Sequence, residues 1–172
     1  MFQIFLTIDD NISQHNERIE YGQLLFEVIM NLCDCISEFK CARFYVVGFA
    51  DLQWNVDVRT DLSTVLTELL ENIKKLKKGE NVNIDFYEQG VERSIAIQII
   101  DEYAFLSCTD LDGNAISSVI ERMPIQMLID MLLKLIVNFI IIASKCCYYV
   151  NDNRYFNQWR LEVEQLLQNR IK

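Results

Sequence analysis

The chain has 172 residues, and its formal charge of −9 corresponds to an isoelectric point of about 4.6. This length suits one domain spanning 1–172, and a hydrophobic content of 51% excludes a disordered chain. A nucleic-acid-binding surface is usually basic, so the acidity argues against DNA or RNA as a partner. It favours a protein partner that carries positive charge.

The first ten residues, MFQIFLTIDD, alternate weakly between apolar and polar and predict a short strand that Asp9 and Asp10 close. They lack the basic start of a signal peptide, so we expect a cytoplasmic protein.

Apolar residues then recur at helical spacing over about 14–39, although Gly22 weakens the first turn of that helix. Two further strands are predicted over 42–50 and 52–58, with a bulge or bend at Gly48.

The most clearly bounded helix is predicted over 61–78. Thr60 or Asp61 is suited to cap its start, and Gly79 stands where a helix commonly stops. The basic run at 74–78 falls at the predicted C-terminal end. Because cations complement the helix dipole there, this run favours a structural role over a nucleic-acid patch.

Residues 81–109 read NVNIDFYEQGVERSIAIQIIDEYAFLSCT and predict the central element of the fold. Apolar residues alternate with polar ones, which is typical of half-buried strands. Turns are predicted at Gln89 and Gly90 and again at Asp101 and Glu102. The stretch is therefore an antiparallel meander with one apolar face and one polar face.

Residues 115–123 are ambiguous and fit either a short helix or an irregular link, whereas Pro124 suits the first position of a helix. The helix predicted over about 124–145 is apolar enough to permit a membrane span. Polar residues nevertheless recur every four positions along it: Gln126, Asp130, Lys134 and Asn138. That stripe favours a nearly buried helix, with membrane association or oligomerisation as the alternative.

An amphipathic helix over about 153–170 completes the chain, with Trp159 on its apolar side. We expect both Trp159 and Trp54 to lie in the core, since large aromatic residues pack there more often than at interfaces. The predicted fold class is α+β. An antiparallel sheet of about four to six strands, with its meander at 81–109, packs against three or four helices.

The residues that catalysis or metal binding would need are sparse. His15 is the only histidine, and no C-x-x-C pair, nucleophile elbow or phosphate-binding glycine loop occurs. We therefore predict no enzymatic activity, no metal and no cofactor. The six cysteines are expected to be free and buried, with a redox or metal role as the alternative.

Carboxylates near the predicted strands offer an enzymatic alternative. They are Asp57, Asp61, Asp85, Glu88 and Glu92. A hydrolase or metal nuclease would need such groups to converge in one pocket, and nothing in their spacing requires this.

Three segments carry a resemblance to a known class of proteins. They are WNVDVRTD at 54–61, the helix that ends before Gly79, and the hairpin DFYEQGVER at 85–93. Together they resemble the small bacterial immunity proteins of contact-dependent inhibition and other polymorphic toxin systems. The resemblance implies a cytoplasmic antidote that binds a cognate toxin domain tightly and blocks its active site. Such toxins are often basic nucleases, which an acidic antidote complements.

The polar face and turns of the meander are the predicted toxin-binding surface. The candidate contact residues are Asp85, Glu88, Glu92, Asp101 and Glu102. These carboxylates cluster on one predicted face with no basic neighbour beyond Arg93. No nucleic-acid or membrane partner is predicted.

Overall fold

The computed structural model of the protein describes residues 1–8, 22–50, 54–87 and 91–168. The strands are β1 (Gln3–Ile8), β2 (Ala42–Val47), β3 (Val82–Phe86), β4 (Arg93–Ile100), β5 (Tyr103–Asp110) and β6 (Ala115–Pro124). The helices are α1 (Leu25–Glu38), α2 (Asp61–Leu76), α3 (Ile125–Cys146) and α4 (Arg154–Gln168), with a short 3₁₀ helix at Tyr148–Asp152. The α+β class is confirmed. The strands divide between an antiparallel pair, β1–β2, and a four-stranded antiparallel sheet in the order β3-β4-β5-β6.

The predicted meander forms three consecutive strands of the larger sheet. Ile84 of β3 pairs with Ile95 of β4, and Ile97 of β4 pairs with Leu106 of β5. All four side chains are buried because alternation places them on the face that packs against the helices. Helix α2 contacts β3, and α3 contacts β5 and β6, so the helices cover this inner face.

Helix α2 begins at a small carboxylate network. Thr60 occupies the N-cap position, as predicted, but the side chain that caps is Asp57, whose Oδ1 accepts the Thr60 N–H at 2.7 Å. Asp61 Oδ2 accepts the Asp57 N–H at 2.9 Å, which fixes the chain as it enters the helix. At the other end, Gly79 has a φ of +76°, a conformation that favours glycine, and its N–H donates to Leu76 O.

The predicted strand over 52–58 is wrong for its described part. Residues 54–57 have no regular structure and 58–60 form a turn, although the Trp54 N–H still donates to Val46 O at 3.0 Å. The Asp57 carboxylate turns the chain into α2, and this local network overrides the alternating pattern. The ambiguous stretch 115–123 is also resolved: it belongs to β6, neither a helix nor an irregular link.

The first helix starts later than the pattern suggests. Helix α1 begins at Leu25 because the Glu27 carboxylate accepts the N–H groups of Gln23 and Leu24, which terminates the helix on that side. Residues 14–21 of the predicted helix lie outside the described residues, as do His15 and the predicted turn at Gln89 and Gly90.

Helix α3 passes through the middle of the structure and contacts β1, β5, β6 and the other three helices. It is long and apolar enough to cross a membrane by length and composition, and no other described helix is. Its polar stripe faces outward in part: Gln126 donates to Asp130 at 2.7 Å, and Asn138 donates to Leu6 O at 3.3 Å. A membrane or oligomer role for this helix stays a prediction.

One continuous cluster of buried side chains includes residues from every described strand and helix. Trp54 and Trp159 both belong to it, as predicted. All six cysteines are free and buried, which confirms the expected state of the thiols.

Candidate functional site

The outer face of the four-stranded sheet is the side whose residues alternate with the buried ones. Cross-strand pairing arranges it in four rows: Ile100–Tyr103–Pro124, Gln98–Phe105–Arg122, Asn83–Ala96–Ser107–Ile120 and Asp85–Ser94–Thr109. We call Ile100, Tyr103, Phe105, Ile120 and Arg122 the aromatic end, and Asp85, Ser94 and Thr109 the hydroxyl end. The β4–β5 turn borders the aromatic end.

The aromatic end presents an ordered guanidinium on an apolar surface. Arg122 lies with its guanidinium carbon 3.8 Å from the ring centroid of Tyr103 and 5.7 Å from that of Phe105. Such cation–π contacts hold the three side chains in one arrangement. Ile100 and Ile120 are 52% and 65% exposed, so apolar surface remains in contact with solvent around the rings.

The turn that borders the aromatic end is acidic and well fixed. Asp101 and Glu102 are both exposed, and Asp101 adopts a φ of +54°, as the first position of a tight hairpin turn requires. The carbonyl of Glu102 accepts the Ile125 N–H at 2.9 Å, which attaches the turn to the start of α3. Two carboxylates are thereby held beside the apolar surface.

The hydroxyl end has a different character because its carboxylate is engaged within the protein. Asp85 Oδ1 accepts the Ser94 hydroxyl at 2.5 Å, and Oδ2 accepts the Tyr87 hydroxyl at 3.1 Å. Partial burial and the charge of Asp85 raise the pKa of Tyr87, which therefore stays protonated and able to donate. Asp85 is half-buried and faces its own donors.

A second internally engaged carboxylate lies at the turn between β5 and β6, which is at the same end of the sheet as the hydroxyl end. Asp110 accepts the backbone N–H groups of Asp112 at 3.0 Å and Asn114 at 2.7 Å, and the Asn114 side-chain amide at 2.9 Å. The amide of Asn114 and these N–H groups lower the pKa of Asp110.

The structure does not bring the described candidate contact residues into one cluster. Asp101 and Glu102 are adjacent, whereas Asp85 and Glu92 lie at the opposite end of β4, whose eight residues span about 26 Å. Glu88 lies outside the described residues. Arg93, their expected basic neighbour, has its guanidinium carbon 5.0 Å from the centroid of the Trp54 ring.

Sequence reasoning did not identify the aromatic end. Tyr103 and Phe105 resemble ordinary strand residues, and Arg122 falls in the stretch that had no assigned structure. Only the register of β5 with β6, which pairs Phe105 with Arg122, brings these side chains together.

Neither of the two grooves that the structure describes is lined by Asp57, Asp61, Asp85 or Glu92, although the larger is lined by Asp34 and Glu68. One, of about 450 Å³, lies between α1 and α2, and the other, of about 360 Å³, lies between β1 and α3. Within the described ranges, no group of three or more His, Cys, Asp or Glu side chains is arranged to hold a metal ion.

Comparisons of the chain with protein-family models, with curated proteins and with solved structures find no match.

Proposed function

We propose that the protein is a non-enzymatic immunity protein that binds and neutralises a cognate toxin domain. The aromatic end of the outer face, with Asp101 and Glu102 beside it, is the proposed contact surface. The observation that carries this proposal is an exposed apolar surface with a fixed guanidinium and an acidic border.

The composition of the aromatic end supports protein binding. Tyrosine and arginine are enriched among the residues that dominate interface energies. Tyr103 and Arg122 are held in contact before any partner arrives, so little side-chain entropy is lost on association. An exposed apolar patch with a polar border is typical of an interaction site.

The charge of the chain supports a basic partner. The net charge is −9, and the two carboxylates of the β4–β5 turn are exposed beside the patch. A positively charged toxin domain would be attracted over long range by the whole chain and oriented at close range by Asp101 and Glu102.

The test reverses two charges at one end of the sheet and compares the resulting loss of binding with the loss caused by reversing two charges at the other end. The variant is Asp101→Lys with Glu102→Lys, and its matched control is Glu92→Lys with Asp112→Lys. Both double variants change the net charge equally, and all four residues are exposed. The measurement is association rate and affinity at two salt concentrations, using the toxin domain that the neighbouring gene encodes.

We expect the Asp101 and Glu102 variant to weaken binding by about tenfold or more, beyond the loss in the control, because it loses local contacts as well as long-range attraction. Equal losses in both variants would show that only overall charge matters and would remove the aromatic end as the site. Unchanged affinity and salt dependence in both would contradict binding through either end.

A further inference from the structure

The groove between β1 and α3 is separate from the proposed contact surface on the outer face of the sheet. Its volume of about 360 Å³ lies within the range of small-molecule sites, roughly 300–1,000 Å³. Apolar side chains of both elements line it, among them Ile4 and Phe5 of β1 and Met127, Met131 and Leu135 of α3. The groove therefore offers a mostly apolar surface to a ligand.

The edge of β1 beside this groove already has its hydrogen-bonding partners on α3. The Ile4 N–H donates to the sulfur of Met131 at 3.3 Å, and the Leu6 carbonyl accepts the side-chain amide of Asn138 at 3.3 Å. An extended peptide that added a strand here would need these backbone groups for its own hydrogen bonds. A ligand without a peptide backbone leaves both contacts intact and fits the groove better.

One basic side chain stands at the rim of the groove. Lys134 is the only lysine or arginine that lines it, and its side chain is exposed. In the part of the chain that the structure describes, Lys134 makes no hydrogen bond or ion pair. Asp130, one turn earlier on α3, accepts the Gln126 amide at 2.7 Å. The Lys134 ammonium can therefore pair with an anionic group on a ligand.

We propose that this groove binds a single fatty acid. The carboxylate pairs with Lys134, and the alkyl chain lies along Met127, Met131 and Leu135. Methionine suits an alkyl chain because its unbranched, flexible side chain adapts to the shape of an apolar partner. The combination of an apolar lining with one cation at the rim matches a ligand that has one anionic end and one long apolar end.

The burial of α3 favours a single acyl chain over a lipid bilayer. The helix is apolar enough to cross a membrane by length and composition, but its apolar side chains at positions such as Leu132, Ile136 and Phe139 are fully buried in the core. What α3 offers to a lipid is the groove beside β1, where Met127 is 45% exposed. A groove of this volume takes one chain.

The experiment titrates dodecanoate into the folded full-length chain by isothermal titration calorimetry, below the concentration at which dodecanoate forms micelles. We expect saturable binding of one molecule per chain and no binding of acetate, which has the carboxylate but no chain. Circular dichroism of each variant described below establishes that it is folded. The measurement does not involve the toxin domain, so its outcome is independent of the proposed function.

The first variant removes the cation. Lys134→Met should weaken dodecanoate binding by about fivefold, because a partly exposed ion pair contributes modestly. Its matched control is Lys145→Met, which makes the same charge change at an exposed position on α3 outside the groove. The control should change the affinity by less than about twofold.

The second variant tests the apolar lining. Met127→Glu places a carboxylate where the alkyl chain would lie and should weaken binding by about tenfold or more. Its control is Ile141→Glu, at an exposed apolar position on α3 outside the groove. That change should cost less than about twofold beyond the general effect of added negative charge.

Three results would overturn the proposal. The first is the absence of saturable dodecanoate binding to the wild type. The second is an equal loss of affinity in each variant and its control, which would show that only overall charge matters. The third is binding of the wild type to vesicles of phosphatidylcholine, without fatty acid, that Met127→Glu weakens as strongly as it weakens dodecanoate binding, which would make the groove part of a bilayer-binding surface.

Discussion

The aromatic end and the hydroxyl end lie on the same sheet face, but the carboxylates at the two ends have different surroundings. At the hydroxyl end, Asp85 accepts hydrogen bonds from Ser94 and Tyr87 within the protein. At the aromatic end, Asp101 and Glu102 are exposed beside apolar surface. Carboxylates that resemble one another in sequence thus differ in whether internal donors already engage them. A recognition surface is better located by that difference than by counting charges.

The largest expected effect comes from removing an aromatic ring at the proposed site. Phe105→Ala should raise the dissociation constant for the toxin domain by about 30-fold or more, because central aromatic residues dominate interface energies. Phe105 also supports Arg122, so the truncation removes packing from both side chains. Isothermal titration calorimetry measures the change.

The matched control for that variant is Thr109→Ala, on the same strand and face but at the hydroxyl end. We expect less than about threefold loss of affinity from this change. Similar losses from both substitutions would erase the distinction between the two ends, and a larger loss from Thr109→Ala would reverse it.

A smaller effect, on stability and not on binding, is expected at the hydroxyl end. Ser94→Ala deletes the donor that lies 2.5 Å from Asp85 and should lower the free energy of unfolding by about 1–2 kcal/mol. Urea denaturation measures it, with Ser107→Ala on the neighbouring strand as control, expected within about 0.5 kcal/mol of wild type. Equal stability of the two variants would show that the hydrogen bond from Ser94 to Asp85 does not stabilise the fold.

The smallest effect is a pH dependence at the β5–β6 turn. Since the native pKa of Asp110 is lowered, its carboxylate stabilises the fold above the unfolded value of about 3.9, and this contribution disappears as the pH falls through the native pKa. Asp110→Asn should therefore melt below wild type at pH 6, and the two melting temperatures should converge as the pH falls through the lowered native pKa of Asp110. Asp112→Asn makes the same charge change in the same turn. Its melting temperature should differ from that of wild type by less, and the difference should vary less with pH. If the difference in melting temperature between Asp110→Asn and wild type stays constant with pH, the ionised Asp110 carboxylate does not stabilise the fold as proposed.

The sequence predicts the parts of the fold whose burial is one-sided. In β3, and in β4 from Ile95 onward, buried apolar residues alternate with more exposed positions, so the meander is visible without a structure. In β6 the pattern fails, because Met123 is its one buried residue and Ile116 and Ile120 are exposed. A strand that is exposed along most of its length lacks the periodicity on which such predictions rely.

The candidate site is less predictable than the fold, because the register in which β5 pairs with β6 brings its residues together. Tyr103 and Arg122 are nineteen positions apart, and no local pattern signals that the guanidinium lies on the ring. The acidic candidates were visible from composition, yet their division between two ends depends on which residues begin and end β4. The internal donors of Asp85 likewise come from a neighbouring strand and from Tyr87 beyond the end of β3.

The chain passes from β6 into α3 with no loop between Pro124 and Ile125. The 22 residues of α3 form a rod about 33 Å long, whose last residue, Cys146, is buried in the core. The N-terminal end of this rod is attached to the β4–β5 turn, because the Glu102 carbonyl accepts the Ile125 N–H. The proposed contact surface is consequently joined, through this turn, to the helix that packs against β1 and the other three helices.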